Sequence, residues 1–199
     1  MKKATKEDKN HVVKIICEAF FHNPHVSFIV KNDEKKPERM KALAEYAFDL
    51  GMRREAVFLT DDRLGVSIIY RYGEVKMGLK EYWRQIKLIF STFSWERGWK
   101  IYQLEKEIWA KRSQDTPYLY LWFFGVADEA LGTNNARDMM RFIFQMSADQ
   151  QLPMVLETSA KRNQVIYKRY GFVEYDCFET GRDQLTMWYM RRPWQHPIP

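Results

Sequence analysis

The sequence predicts an α/β fold organised around one β-α-β unit, and three observations predict it. The apolar run over residues 119–126 suits a buried strand. After a glycine-bearing turn over 130–137 comes an amphipathic helix, with Ala136, Met139, Met140, Ile143, Phe144 and Ser147 on one face, and then an apolar strand at 154–157. Second, paired runs at 56–60 and 65–70, joined by Asp61-Asp62-Arg63-Leu64, read as a hairpin. The runs at 173–180 and 185–191 around Gly181-Arg182-Asp183 repeat the pattern. Third, the N-terminal third carries apolar stripes at helical spacing.

From the N-terminus, residues 1–4 suit a short strand. Thr5-Lys6-Glu7-Asp8 reads as a capping box opening a helix with Val12, Val13, Ile16, Ala19 and Phe20 on one face. Pro24 stops that helix, because proline disfavours helix in the residue before it. Residues 26–30 form a short apolar segment and 32–36 a polar loop. Pro37 suits a helix start, with Met40, Leu43, Ala44, Ala47 and Phe48 inward and Gly51 expected at the end. Beyond the hairpin, Leu79, Trp83, Ile86, Phe90 and Phe93 mark one helix, and Ile101, Leu104, Ile108 and Trp109 a second. Gln151-Leu152-Pro153 breaks the helix before the strand at 154–157. A short helix then closes in Tyr167-Lys168-Arg169-Tyr170-Gly171-Phe172. The chain ends in a proline-rich polar tail at 193–199, after a single domain over 1–192.

With 46% hydrophobic and 16% aromatic residues, the 199-residue chain has ample core material and is not a disordered sequence. No run of eighteen apolar residues exists and the N-terminus lacks an apolar signal core, so no membrane association is expected and the location is expected to be cytoplasmic. Cys17 and Cys177 form no disulfide framework and no metal-ligand spacing; no metal is expected. The net charge of +6 comes from Lys and Arg interspersed with Glu and Asp, so no nucleic-acid role is expected. The turn at 130–137 points to a narrower class of ligand. Free N–H groups at a helix N-terminus behind such a turn bind anions, and pyrophosphate is their usual occupant.

Val126, Gly132, Ala136, the long helix, Leu156-Glu157-Thr158-Ser159, Asn163, Tyr167 and Gly171-Phe172 together resemble the core of GNAT-type N-acetyltransferases. One common form of that family's later segment, Asn-x-x-x-Tyr-x-x-x-Gly-Phe, is complete here from Asn163 through Tyr167 to Gly171 and Phe172. The family's cofactor turn, Gln/Arg-x-x-Gly-x-Gly/Ala, is degenerate. Leu131 stands for Gln or Arg, Asn134 for the first Gly, and Ala136 conforms. Asparagine tolerates positive φ better than most residues, which makes Asn134 a mild departure.

The resemblance implies a GNAT fold: a mixed, mostly antiparallel central sheet flanked by helices. The two helices over about 75–113 become a helical insertion before the cofactor-binding strand. They either shape the acceptor site or a dimer contact, or simply pack an apolar stripe. The implied function is N-acetyltransferase: an acetyl group moves from acetyl-coenzyme A to an amine of a small molecule or peptide, directly, in a ternary complex. The implied cofactor contacts are backbone groups of Phe124 and Val126 along the pantetheine. The N–H groups of Leu131, Gly132, Thr133, Asn134, Asn135, Ala136 and Arg137 would lie around the pyrophosphate. Arg137 or Lys161 would add charge there, and Asn163 would cap the short helix or bond the pantetheine. Tyr167 matches the tyrosine that protonates the departing thiolate, against the alternative of a core tyrosine. Glu157 is a candidate base through water, or a strand-end carboxylate bonded to its neighbours. His22 and His25 lie where the acceptor is expected, and a histidine titrates near neutral pH. The resemblance also allows a homodimer. Two other readings remain: an acyl-coenzyme A-binding protein with little catalysis, suggested by Leu131 and Asn134, and a non-enzymatic interaction module.

Overall fold

A computed structural model describes residues 1–73, 95–180 and 185–198. Its strands are β1 (Lys2–Lys3), β2 (Val57–Leu59), β3 (Gly65–Tyr72), β4 (Tyr118–Val126), β5 (Met154–Thr158), β6 (Val173–Glu179) and β7 (Thr186–Arg192). Its helices are α1 (Lys9–Phe20), α2 (Pro24–Ile29), α3 (Lys36–Arg53), α4 (Trp95–Lys111), α5 (Asn135–Gln150) and α6 (Lys161–Arg169). The strands form one sheet in the order β1-β2-β3-β4-β5-β7-β6. Only β4 and β5 run parallel; every other neighbouring pair is antiparallel. This is the mixed, mostly antiparallel sheet expected.

Alternation along the strands sends side chains to two faces. On one face α1 and α3 pack Val12, Ile16, Ala44 and Phe48 against Val57, Ile68 and Phe123. On the other, α5 packs Met140, Ile143 and Phe144 against Leu119, Leu121, Leu156 and Met190. Helix α4 covers β7 through Leu104, Ile108, Met187 and Tyr189. Between α4 and the α1–α3 layer, the sheet presents Tyr70, Tyr72, Tyr120 and Trp122.

Local chemistry sets the element ends. The Thr5 N–H and hydroxyl donate to the Asp8 carboxylate at 2.8 and 3.0 Å, forming the expected box. Residues 26–30 are not merely an apolar segment: Asn23 accepts from the Val26 N–H and Pro24 sits in the first turn, so α2 forms there. Gly51 does not end α3, which runs to Arg53. A Cβ at Gly51 would lie 2.7 Å from Val57 and 3.0 Å from Ile68, so this glycine lets helix and sheet approach closely. The expected helix at 79–93 and turn at 181–183 lie outside the described residues. Fully buried Arg192 ties down the chain end by donating to the carbonyls of Tyr170, His196 and Pro197 at 2.8–2.9 Å. No helix of the described residues is long and apolar enough to cross a membrane.

Candidate active site

The site begins where two strands part. β4 pairs with β5 only at Leu119–Met154, Tyr120–Val155 and Leu121–Leu156. Beyond Leu121, β4 stays on β3 while β5 continues beside β7 through Glu157 and Thr158. The β3–β4 register shifts between Ile68 and Ile69, which face Phe123 and Leu121, so Trp122 is the extra residue of a bulge. A bulge bends its strand and increases its twist. It falls where β4 leaves β5, and it opens a wedge between the strands' C-terminal ends.

Next to the wedge lies a cavity of about 510 Å³, within the usual range for small-molecule sites. Tyr70, Tyr72 and Trp122 rise from the sheet, Tyr46 comes from α3 and Trp109 from α4. The expected residues Phe124, Glu157, Asn163 and Tyr167 all line it; Val126 and the turn at 131–137 do not.

Tyr167 is half-buried on α6, edge-on to Phe172 at 5.5 Å between ring centres. Among the described residues its hydroxyl has no hydrogen-bond partner. Burial pushes its pKa well above the ordinary phenol value, so the proton stays on the oxygen throughout the neutral range. The Asn163 amide likewise has no partner among the described residues.

Glu157 is engaged on both oxygens. Arg112 donates from Nε to Oε1 at 2.5 Å and from Nη2 to Oε2 at 2.8 Å, and the Tyr120 hydroxyl donates to Oε2 at 3.0 Å. The two side chains are 7% and 10% exposed. Burial opposes the charge on Arg112, but Tyr120 and Glu157 outweigh it and hold its pKa well above the usual guanidinium value. The guanidinium also lies 4.5 Å from the Tyr120 ring centre. The sequence reading missed Arg112. Its signal was position: it falls four residues after Ile108, one turn on from the inward Ile101-Leu104-Ile108 stripe.

Of the two histidines, His25 lines the cavity and His22 is exposed. The His25 N–H donates to Ser159 Oγ at 3.0 Å, and its Nε2 lies 3.0 Å from Glu105 Oε1 on α4.

After β4 the chain reaches the turn into α5. Three of the seven expected N–H groups are taken locally: Leu131 donates to the Asp128 carbonyl, Thr133 to the Ala130 carbonyl and Asn135 to the Thr133 hydroxyl. Those of Gly132, Asn134, Ala136 and Arg137 have no partner among the described residues, and they sit at the positive end of a 16-residue helix. Gly132 has φ +80° with no atom within 4 Å of a built Cβ. Asn134 sits at φ −79°, so the turn asks for no left-handed conformation at that position. Leu131 is 66% exposed and Arg137 is exposed. Lys161 lies over the Trp188 ring at 5.1 Å. Among the described residues no three His, Cys, Asp or Glu side chains are placed to hold a metal.

No protein-family profile matches the sequence. Over 197 residues the chain is 24% identical to an uncharacterized N-acetyltransferase of Schizosaccharomyces pombe, covering 92% of this chain and 77% of that protein. A crystal structure described as histone acetyltransferase HPA2 and related acetyltransferase, from Corynebacterium glutamicum, superposes with a TM-score of 0.68 at 18% identity, covering 100% of this chain and 97% of that one. Arylalkylamine N-acetyltransferase 2 of Aedes aegypti superposes with a TM-score of 0.68 at 12% identity, covering 98% of each chain.

Proposed function

The chain has the GNAT fold, and on that premise we propose that it is an N-acetyltransferase using acetyl-coenzyme A and an amine in one ternary complex. One observation carries this reading: the wedge where β4 and β5 part lies against an aromatic cavity holding Tyr167, with four N–H groups on the turn into α5 that have no partner among the described residues. The residues fit the cofactor. Beyond Leu121, β4 offers an edge with no β5 partner for an extended amide chain, and the N–H groups of Gly132, Asn134, Ala136 and Arg137 suit a pyrophosphate. Bound there, acetyl-coenzyme A would supply an acyl carbon activated as a thioester.

The chain's residues then have three tasks. Tyr167 holds a proton at its hydroxyl for the leaving sulfur, and its lack of a partner among the described residues leaves that proton free to go there. Glu157, anchored by Arg112 and Tyr120, is a fixed hydrogen-bond acceptor at the wall of the cavity. Proximity contributes most, because an acceptor held in the cavity would lie beside the wedge. As the N–C bond forms and the C–S bond breaks, the acceptor ammonium loses two protons and the sulfur gains one, so one proton is released per turnover.

Aromatic side chains that line the cavity, Tyr46, Tyr70, Tyr72, Trp109 and Trp122 among them, favour an acceptor with an apolar or aromatic body. The mosquito structure bears the name of an arylalkylamine enzyme, which agrees with that preference. The test incubates the protein and acetyl-coenzyme A with arylalkylamines, polyamines and a lysine peptide, following free thiol and acetylated product. Amine-dependent release of both, greatest with aromatic amines, is expected. Cofactor binding without turnover on any amine would replace this reading with that of an acyl-coenzyme A-binding protein.

A further inference from the structure

We propose that His25 Nδ1 takes the proton from the acceptor's ammonium group and that Glu105 positions the ring for it, an assignment that rests on the acetyltransferase reading above. The acceptor must lose a proton before its nitrogen can attack, and Glu157 is poorly placed to receive it. Both Glu157 oxygens already accept from Arg112 or Tyr120, so accepting a proton there displaces a donor. His25 has the opposite arrangement. Its Nε2 faces one oxygen of Glu105, a residue 80 positions away in sequence, at 3.0 Å. An ionised carboxylate only accepts hydrogen bonds, so Nε2 carries the hydrogen and Nδ1 is left with the lone pair. Among the described residues Nδ1 has no partner, and Glu105 has none but His25.

The ring is also fixed in the right place. Ser159, one residue beyond β5, accepts from the His25 N–H at 3.0 Å and donates to Asn23 Oδ1 at 3.2 Å. That same Asn23 oxygen caps α2 through the Val26 N–H. His25 is thereby tied to the C-terminal end of β5, one wall of the wedge, and its side chain is 23% exposed. The other charged groups lining this cavity are Glu105 from α4, Arg112 just after it, Glu157 from β5, Arg39 from α3, Arg54 just after α3 and Arg71 from β3, with Tyr167 from α6 beside them. Arg112 and Arg39 are paired with Glu157 and Asp33, which leaves Glu105 to attract the ammonium and balance the imidazolium. In the step, one N–H bond of the ammonium breaks and its electron pair stays on nitrogen. The proton forms the Nδ1–H bond and later passes to solvent.

The test combines kinetics with a spectroscopic readout of the protein alone. His25→Gln should lower kcat/KM near neutral pH by about 100-fold, the scale of one general base. The loss should shrink at high pH, where the amine is neutral without help, and acetyl-coenzyme A affinity should not change. His22→Gln should match the wild type. Nitrogen NMR of the unliganded wild type should show the Nε2–H tautomer at His25, and Glu105→Gln should lose that single tautomer and most of the rate. If His25→Gln fails to fold, Glu105→Gln and the tautomer measurement decide. A wild-type Nδ1–H tautomer, or a folded His25→Gln within about threefold of wild type across the pH range, overturns the assignment and leaves the acetyltransferase reading standing. A wild type that turns over no amine removes both.

Discussion

Replacing Arg112 by Ala isolates the interaction on which the floor of the site depends. The guanidinium and the Glu157 carboxylate are 10% and 7% exposed and joined by two hydrogen bonds, so solvent screens them little. Removing one partner of such a pair strands a buried charge, at a typical cost of 3–5 kcal/mol. Here the Tyr120 hydroxyl still donates to Glu157 at 3.0 Å, which places the loss at the lower end, about 3 kcal/mol. For a chain of this size that corresponds to a fall in melting temperature of roughly 6–12 °C. Urea denaturation of purified wild type and variant, followed by circular dichroism, gives the free energy, and a thermal scan gives the shift. The double variant Arg112→Met/Glu157→Gln removes both charges and should regain most of the loss, because a neutral amide can still bond Tyr120. An Arg112→Ala protein within about 1 kcal/mol of wild type, or a double variant no better than the single one, would refute the argument that the pair is buried and mutually dependent.

Tyr167→Phe should lower kcat by about 100-fold or more while leaving acetyl-coenzyme A affinity and melting temperature near wild type; unchanged turnover would remove the acid role. Asp8 gives a pH test. The Thr5 N–H, donating to its carboxylate, holds Asp8 below the usual carboxylate range; burial opposes this, and the Thr5 hydroxyl and Arg63 reinforce it. A depressed folded pKa contributes stability above the unfolded value of about 3.9, and the contribution is lost as pH falls through the folded pKa. Asp8→Asn should therefore cost about 1 kcal/mol at neutral pH, and the gap to wild type should close as the pH is lowered through the acid range. A gap that stays constant down to strongly acidic pH would show that Asp8 does not supply it. Gly132→Val should cost about 1–2 kcal/mol, because a β-branched residue is forced to φ +80° where nothing else crowds it; an unchanged stability would mean that the turn rearranges freely.

What the sequence made legible was local. The Thr5–Asp8 box, the β2–β3 hairpin and the β-α-β unit all repeat over a few residues, and the structure has them where the periodicity placed them. The sheet's mixed character came from the family resemblance, because strand order is not written in any local pattern. Three features escaped or were misjudged for definable reasons. Six residues are too few for periodicity to announce α2, although Asn23 and Pro24 carried its cap. A glycine near a helix end looks the same whether it closes the helix or lets a strand approach, and Gly51 does the latter. The partners of Glu157 and His25 lie 45 and 80 residues away, brought close only when α4 folds back over β7. A charged residue at the end of an inward apolar stripe, as Arg112 is, was the one sign that α4 had a role at the site.

The most direct test of the central claim is a calorimetric titration of the purified protein with acetyl-coenzyme A at moderate salt, with ATP as the polyanion control. The wedge between β4 and β5 and the turn into α5 predict micromolar binding of acetyl-coenzyme A that ATP does not reproduce, because ATP offers phosphates to the turn but no amide chain to the free edge of β4. No binding, or equal binding of ATP, would contradict the claim that this wedge is a coenzyme A site.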